Sequence, residues 1–260
     1  MDIHVTSTGG RRLALAAAAL WFPGAAATLA AQQIGWSGTA QGSGNALFGA
    51  AHTRLFASNL EIGRADSTLQ VRSSFQLSYG DDRTEENDRQ VTARATKASL
   101  GLDLTPFARY SPFWFGSIGS SLQQRVARRL DSGIGGKVTF VRTDPTSLDL
   151  SLALLVERTR AAAIDSASAP TTTLTRWSLR FRVRHRLTPS LSVRHVTFYQ
   201  PAIDRMGAYT LDTLTELEDR LWAGLSFTAS LHDVIDSEAR QRGAPSNHDG
   251  QILFGLRTTF

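Results

Sequence analysis

The chain has 260 residues, 42% of them hydrophobic, with 28 Lys and Arg against 23 Asp and Glu and a formal net charge of +5 at pH 7. That length suits a single domain, and the lack of any cysteine excludes a disulfide framework, a thiolate metal site and a lipid-anchored amino terminus. The basic excess is almost all arginine and forms no basic patch interleaved with aromatics on a nucleic-acid fold, so no nucleic-acid partner is expected.

The first predicted element is a secretory signal peptide over residues 1–31. Arg11 and Arg12 precede an apolar run from Leu13 to Phe22, Pro23 and Gly24 break it, and the small residues from Ala25 to Ala31 offer a cleavage site. The run is too short for a membrane anchor, which needs roughly 20 apolar residues. Residues 32–260 then form one further unit with no run of that kind. Such a chain can cross a bilayer only as a closed barrel, because lipid offers the backbone no hydrogen-bond partners.

After the signal, apolar and polar residues alternate by twos, the period of strands with two unlike faces. Strands are predicted at 36–43, 53–63, 68–79, 89–104, 110–122, 132–143, 148–159, 172–186, 191–200, 208–218, 221–233 and 250–260. The expected fold is all-β, an antiparallel transmembrane β-barrel of about twelve strands. Ten is the alternative count, because 42–52 is irregular. Alternate links are short and turn-like, at 65–67, 105–107, 144–147, 188–190 and 218–220, with Pro and Asp where tight turns use them. The links between them, at 80–88, 123–131, 161–171, 201–207 and 234–249, are mostly longer and more polar. Outer-membrane barrels have this order of short periplasmic turns and long extracellular loops. A secreted β-sandwich would share the alternation but not the ordering of the links. The acidic loop with Asp81, Asp82, Glu85, Glu86 and Asp88 reads first as a solvated loop, and second as a holder of a divalent cation between lipopolysaccharide phosphates.

Faces follow from the alternation. In the third strand Leu69, Val71, Phe75, Leu77 and Tyr79 face lipid, and Gln70, Arg72, Ser74, Gln76 and Ser78 face inward. The eleventh is expected to place Leu221, Ala223, Leu225, Phe227, Ala229 and Leu231 outside, and Trp222, Gly224, Ser226, Thr228, Ser230 and His232 inside. The eighth carries Trp177, Leu179, Phe181 and Val183 outward and a column of Arg176, Arg180, Arg182, Arg184 and Arg186 inward. Five guanidinium groups cannot face hydrocarbon, so they face the lumen. The preceding strand offers Asp149 and Glu157 on its inner face; a symmetric hairpin sets Glu157 opposite Arg176 and Asp149 opposite Arg184. The column is either a ladder braced by carboxylates, Asp212 and Glu216 included, or a cationic lining that attracts anions.

The final strand places Ile252, Phe254, Leu256, Thr258 and Phe260 on one face. With Gly255 in mid-strand and a terminal Phe, it is similar to the barrel-closing signal of bacterial outer-membrane barrels; Phe254, Gly255, Leu256 and Phe260 carry that signal and imply the barrel-assembly machinery as a partner. Together with WSGTAQGSGN from Trp36, KASLGLDLTPFARYSPFWFGSIG from Lys97 and the following SGIGGKVTF, it resembles the family of salt-induced outer-membrane proteins, a domain of unknown function. The resemblance implies a barrel in the outer membrane of a Gram-negative envelope, in contact with its lipid and lipopolysaccharide, and carries no catalytic residues.

Catalytic, cofactor and metal sites are expected to be none. His52, His185, His195, His232 and His248 show no metal-ligand spacing, no G-x-S-x-G elbow occurs, and Gly136-Lys137 is followed by Val138, which excludes a phosphate loop. A barrel lipid hydrolase is the enzymatic alternative, since His195 falls on a lipid-facing position. The expected function is non-enzymatic, in envelope integrity or stress response, with a narrow, anion-preferring channel for small solutes as the alternative. The residues set neither a ligand nor an oligomeric state.

Overall fold

A computed structural model describes residues 35–47, 52–83, 89–163 and 170–260. The expected signal peptide lies outside the described residues, as do Glu85, Glu86 and Asp88 of the acidic loop. Twelve strands follow in chain order: β1 (Trp36–Leu47), β2 (His52–Ala65), β3 (Leu69–Arg83), β4 (Arg89–Leu104), β5 (Tyr110–Ser121), β6 (Val126–Arg142), β7 (Thr146–Ala161), β8 (Thr171–Arg186), β9 (Leu191–Pro201), β10 (Tyr209–Trp222), β11 (Leu225–Asp236) and β12 (His248–Thr259). Each pairs antiparallel with its chain neighbours, and β12 returns to β1, so the sheet is a closed barrel. This settles the strand count at twelve.

Strand lengths run from 11 residues in β9 to 17 in β6. A bilayer needs about 9–11 tilted residues per strand, so the wall stands taller than a hydrocarbon core. The usual burial pattern of a soluble protein is inverted. Phe75, Ile134, Leu152, Trp177, Phe227 and Phe254 are exposed on the outer surface, whereas Lys137, Asp149, Glu157, Arg176, Glu216 and Arg257 are buried. Apolar residues outward and charged residues inward make this a barrel built for lipid.

Three links differ from their expected places, the first because β3 runs on to Arg83 and takes Asp81 and Asp82 out of the acidic loop. The segment expected as the loop 123–131 is mostly strand: β6 begins at Val126, and Arg125, with φ 53, completes a tight link from β5. Arg128 and Arg129 made that stretch look like loop, yet one points out of the wall and the other into the lumen. The turn expected at Glu218-Asp219-Arg220 lies instead at Ala223 and Gly224, where φ of 79 at Gly224 supplies the left-handed conformation a two-residue turn needs. Leu221 and Trp222 therefore end β10 rather than begin β11, and Trp222 is 64% exposed at the rim.

Closure depends on close approach at the seam. Gly255 of β12 faces Ser43 of β1, and an added Cβ there would overlap the Gly42 carbonyl oxygen. The terminal Phe260 exchanges backbone hydrogen bonds with Gly38, N–H to O at 2.8 and 3.0 Å, and its ring covers the space over that glycine.

Candidate functional site in the lumen

The arginine column of β8 faces the lumen, where its members meet different partners. The register places Asp149 opposite Arg182 and Glu157 opposite Leu174, two residues away from the symmetric hairpin expected from sequence. Asp149 thus pairs with Arg182 and not with Arg184: Arg182 Nε and Nη2 donate to Asp149 Oδ2 at 2.9 and 2.7 Å. Glu157 still reaches Arg176, diagonally rather than directly across.

Towards the end of the barrel with the longer links, a buried network spans five strands and three connections. Arg176 Nη2 donates to Glu157 Oε1 at 3.3 Å, while its Nε lies 3.2 Å from Oε2 without hydrogen-bond alignment. Its Nη1 donates to the carbonyls of Gln200 and Ala208 at 3.1 and 2.8 Å. Arg129 Nη2 donates to Asp236 Oδ2 at 2.9 Å and its Nε lies 3.8 Å from Glu157. The connection from β11 to β12 folds over this end. Its Arg242 binds Asp236 and the Gln124 carbonyl, and its Glu238 meets both Arg176 and Arg205. These charges tie the wall to the connections at this end.

A second network staples the seam. Glu216 of β10 accepts from Arg257 of β12 at 2.7 Å and from Gln41 of β1 at 3.3 Å, and Arg194 of β9 lies 3.2 Å from its other oxygen. Glu218 accepts from the same Arg257 at 2.8 Å. Asp212, the other expected brace, accepts instead from His232 at 2.9 Å.

Towards the short-turn end the lumen keeps cations in excess. Lys137 is held by Asp103 at 2.7 Å, and Arg186 pairs with Asp144 of the turn at the rim. Arg180 has no carboxylate at ion-pair distance among the described residues. It donates to the Ser151 hydroxyl at 2.9 Å, and its guanidinium carbon lies 5.4 and 6.0 Å from the ring centres of Phe113 and Phe198. Arg184, also without an ion pair among the described residues, sits directly across from Arg194. Phe113 and Phe115 face inward, and the Phe115 ring fills the space over Gly133. Arg257 was readable only as a member of the polar face of β12.

Along the opposite wall, inward-facing side chains are exposed. Lys97 and Gln76 face inward yet are exposed, and the Arg72 and Glu61 pair, at 3.0 Å, is 39% and 35% exposed.

On the outer surface His195 faces lipid as expected. Its ring nitrogens are each 2.9 Å from a threonine hydroxyl, Thr215 and Thr197. Among the described residues no group of three His, Asp or Glu is placed to hold a metal.

The model of the family described as "Protein of unknown function, DUF481" matches residues 43–260. No curated protein matches the chain. Among solved structures, the translocator domain of the autotransporter NalP from Neisseria meningitidis is similar at 10% identity and TM-score 0.44, over 87% of this chain and 88% of that one. The KdgM porin is similar at 12% identity and TM-score 0.45, over 86% and 99%. An outer membrane channel from Pseudomonas putida F1 is similar at 8% identity and TM-score 0.47, over 86% and 94%.

Proposed function

The chain belongs to the family described as "Protein of unknown function, DUF481", and we propose that it acts in an outer membrane as a narrow, water-filled channel that favours small anionic solutes, without catalytic activity. The observation that carries this reading is Arg180, a lumen guanidinium held by Phe113, Phe198 and Ser151 with no carboxylate at ion-pair distance among the described residues. Aromatic faces stabilise a cation without cancelling its charge. A net positive field in a passage with low-dielectric walls concentrates anions and repels cations. Exposed Lys97 and Gln76 along the opposite wall supply the aqueous path. Incorporation of the purified barrel into planar bilayers tests this directly: discrete conductance steps are expected, and a silent bilayer holding folded protein would reject the channel.

A second reading rests on the buried network of Arg129, Glu157, Arg176 and Asp236, which braces the mouth. If that network seals the lumen, the protein is a reinforced barrel serving envelope integrity, and it conducts nothing. In both readings Phe254, Gly255, Leu256 and Phe260 present the closing signal to the barrel-assembly machinery. Induction by salt belongs to the same proposal; transcript levels that stay flat when external salt rises would remove it.

A further inference from the structure

On the outer surface, at the long-link ends of β6 and β7, Arg128, Arg158 and Arg160 point away from the barrel and are exposed. Arg128 stands directly opposite Arg160, and Arg158 opposite Leu130. Like charges directly across a strand pair are destabilising, so this arrangement raises the energy of the empty wall. Inward-facing Arg129 and Arg176 meet Glu157 and Asp236. The three outer arginines, by contrast, have no carboxylate at ion-pair distance among the described residues. Next to them on β8, Thr173 stands opposite Arg158 and Thr171 opposite Arg160, both exposed, adding hydroxyls to the same patch.

Depth fixes what meets this patch. Along the outer face of β7 the residues Leu150, Leu152, Leu154 and Val156 are exposed and apolar, and the next two outward positions are Arg158 and Arg160. The arginines therefore lie where hydrocarbon ends and headgroups begin. Guanidinium forks match phosphate oxygens in a bidentate fashion, and a doubly charged phosphate between Arg128 and Arg160 converts their repulsion into attraction to a shared anion.

We propose that Arg128, Arg158 and Arg160, with the hydroxyls of Thr171 and Thr173, form a binding site for the phosphate of a phosphorylated glycolipid in the outer leaflet. This rests on the outer-membrane placement above, with the long-link end facing outward. The site is independent of the lumen, because all five side chains face away from it.

The test titrates the purified full-length barrel in detergent with diphosphorylated lipid A, and separately with lipid A stripped of its phosphates, counting bound lipid by native mass spectrometry. Wild type is expected to retain the diphosphorylated lipid. The variant R128Q/R158Q/R160Q should bind it on the order of 100-fold more weakly, from the attraction each basic side chain contributes at an anionic surface, and R128K/R158K/R160K, which keeps the charge but loses the bidentate fork, should bind between the two. Equal retention by the glutamine variant, equal retention of the dephosphorylated lipid, or full displacement by inorganic phosphate would overturn the proposal. Bilayer conductance of the glutamine variant should match wild type, so failure of the channel reading and failure of the lipid site are read on separate instruments.

Discussion

Replacing Glu157 by Ala removes the carboxylate that joins Arg129 to Arg176 in the buried network. Arg176, 1% exposed, keeps Glu238 at 3.4 Å and the carbonyls of Gln200 and Ala208. Arg129 keeps Asp236 at 2.9 Å. Breaking a buried ion pair costs about 3–5 kcal/mol. The surviving partners, worth roughly 1.5–3 kcal/mol for each hydrogen bond to a charged group, hold the expected loss to about 2–3 kcal/mol. Replacing both Glu157 and Arg176 by Leu removes the stranded charge along with its partner, and such exchanges are often neutral or stabilising by about 1–4 kcal/mol. The double variant should therefore be more stable than Glu157→Ala alone. Urea unfolding in detergent, followed by the mobility difference between unheated and boiled samples, gives each value, and Glu157→Leu and Arg176→Leu alone complete the double-mutant cycle. A single variant within about 0.5 kcal/mol of wild type, or additive losses in the double, would refute the bracing role.

Asp at both Phe254 and Phe260 puts charge on the lipid face of the closing strand, at a cost below the roughly 2–4 kcal/mol of a basic residue at mid-bilayer and smaller at the rim, so membrane-inserted yield should fall; normal yield would contradict the closing role. Gly135→Val should block folding, because an added Cβ overlaps the Leu152 carbonyl oxygen of the paired strand β7, and a folded, heat-modifiable variant would show that the strands can part there. In the turn between β2 and β3, the Asp66 carboxylate accepts from the Thr68 hydroxyl at 2.7 Å and from the amides of Leu69 and Thr68, both at 2.8 Å; with nearby Arg64, these bonds lower its pKa from 3.8 to about 2. Because the folded value is the lower one, the stabilisation is present above about 3.8 and is lost as pH falls through about 2. Melts of wild type should therefore lose more stability over that window than melts of Asp66→Asn, and parallel curves would remove the assignment.

The barrel was legible because a strand of period two declares its faces. Leu69 to Tyr79 and Trp177 to Val183 lie on the faces expected of them. What alternation cannot see is a slip of two residues, since both registers keep every side chain on its own face. That is why Asp149 was set against Arg184 when it meets Arg182. Charge misled at Arg128 and Arg129, which begin a strand at the membrane boundary, and at Glu218 to Arg220, where Glu218 meets Arg257 in the lumen and Arg220 reaches the Pro189 carbonyl of the neighbouring turn. Gly224 was the better turn signal. The cluster of Phe113, Phe198 and Arg180 joins β5, β9 and β8 across the lumen, and no local pattern in the chain announces such a contact.

The most direct measurement is the reversal potential of the purified barrel in a planar bilayer under a salt gradient, for wild type and for Arg180→Glu/Arg184→Glu. If Arg180 and Arg184 leave the short-turn end of the lumen positive, wild type passes anions in preference to cations, and the variant loses or reverses that preference while keeping its folded mobility. A wild type that shows no preference for anions, or a variant whose selectivity is unchanged, would contradict the assignment of this lumen as an anion-favouring channel.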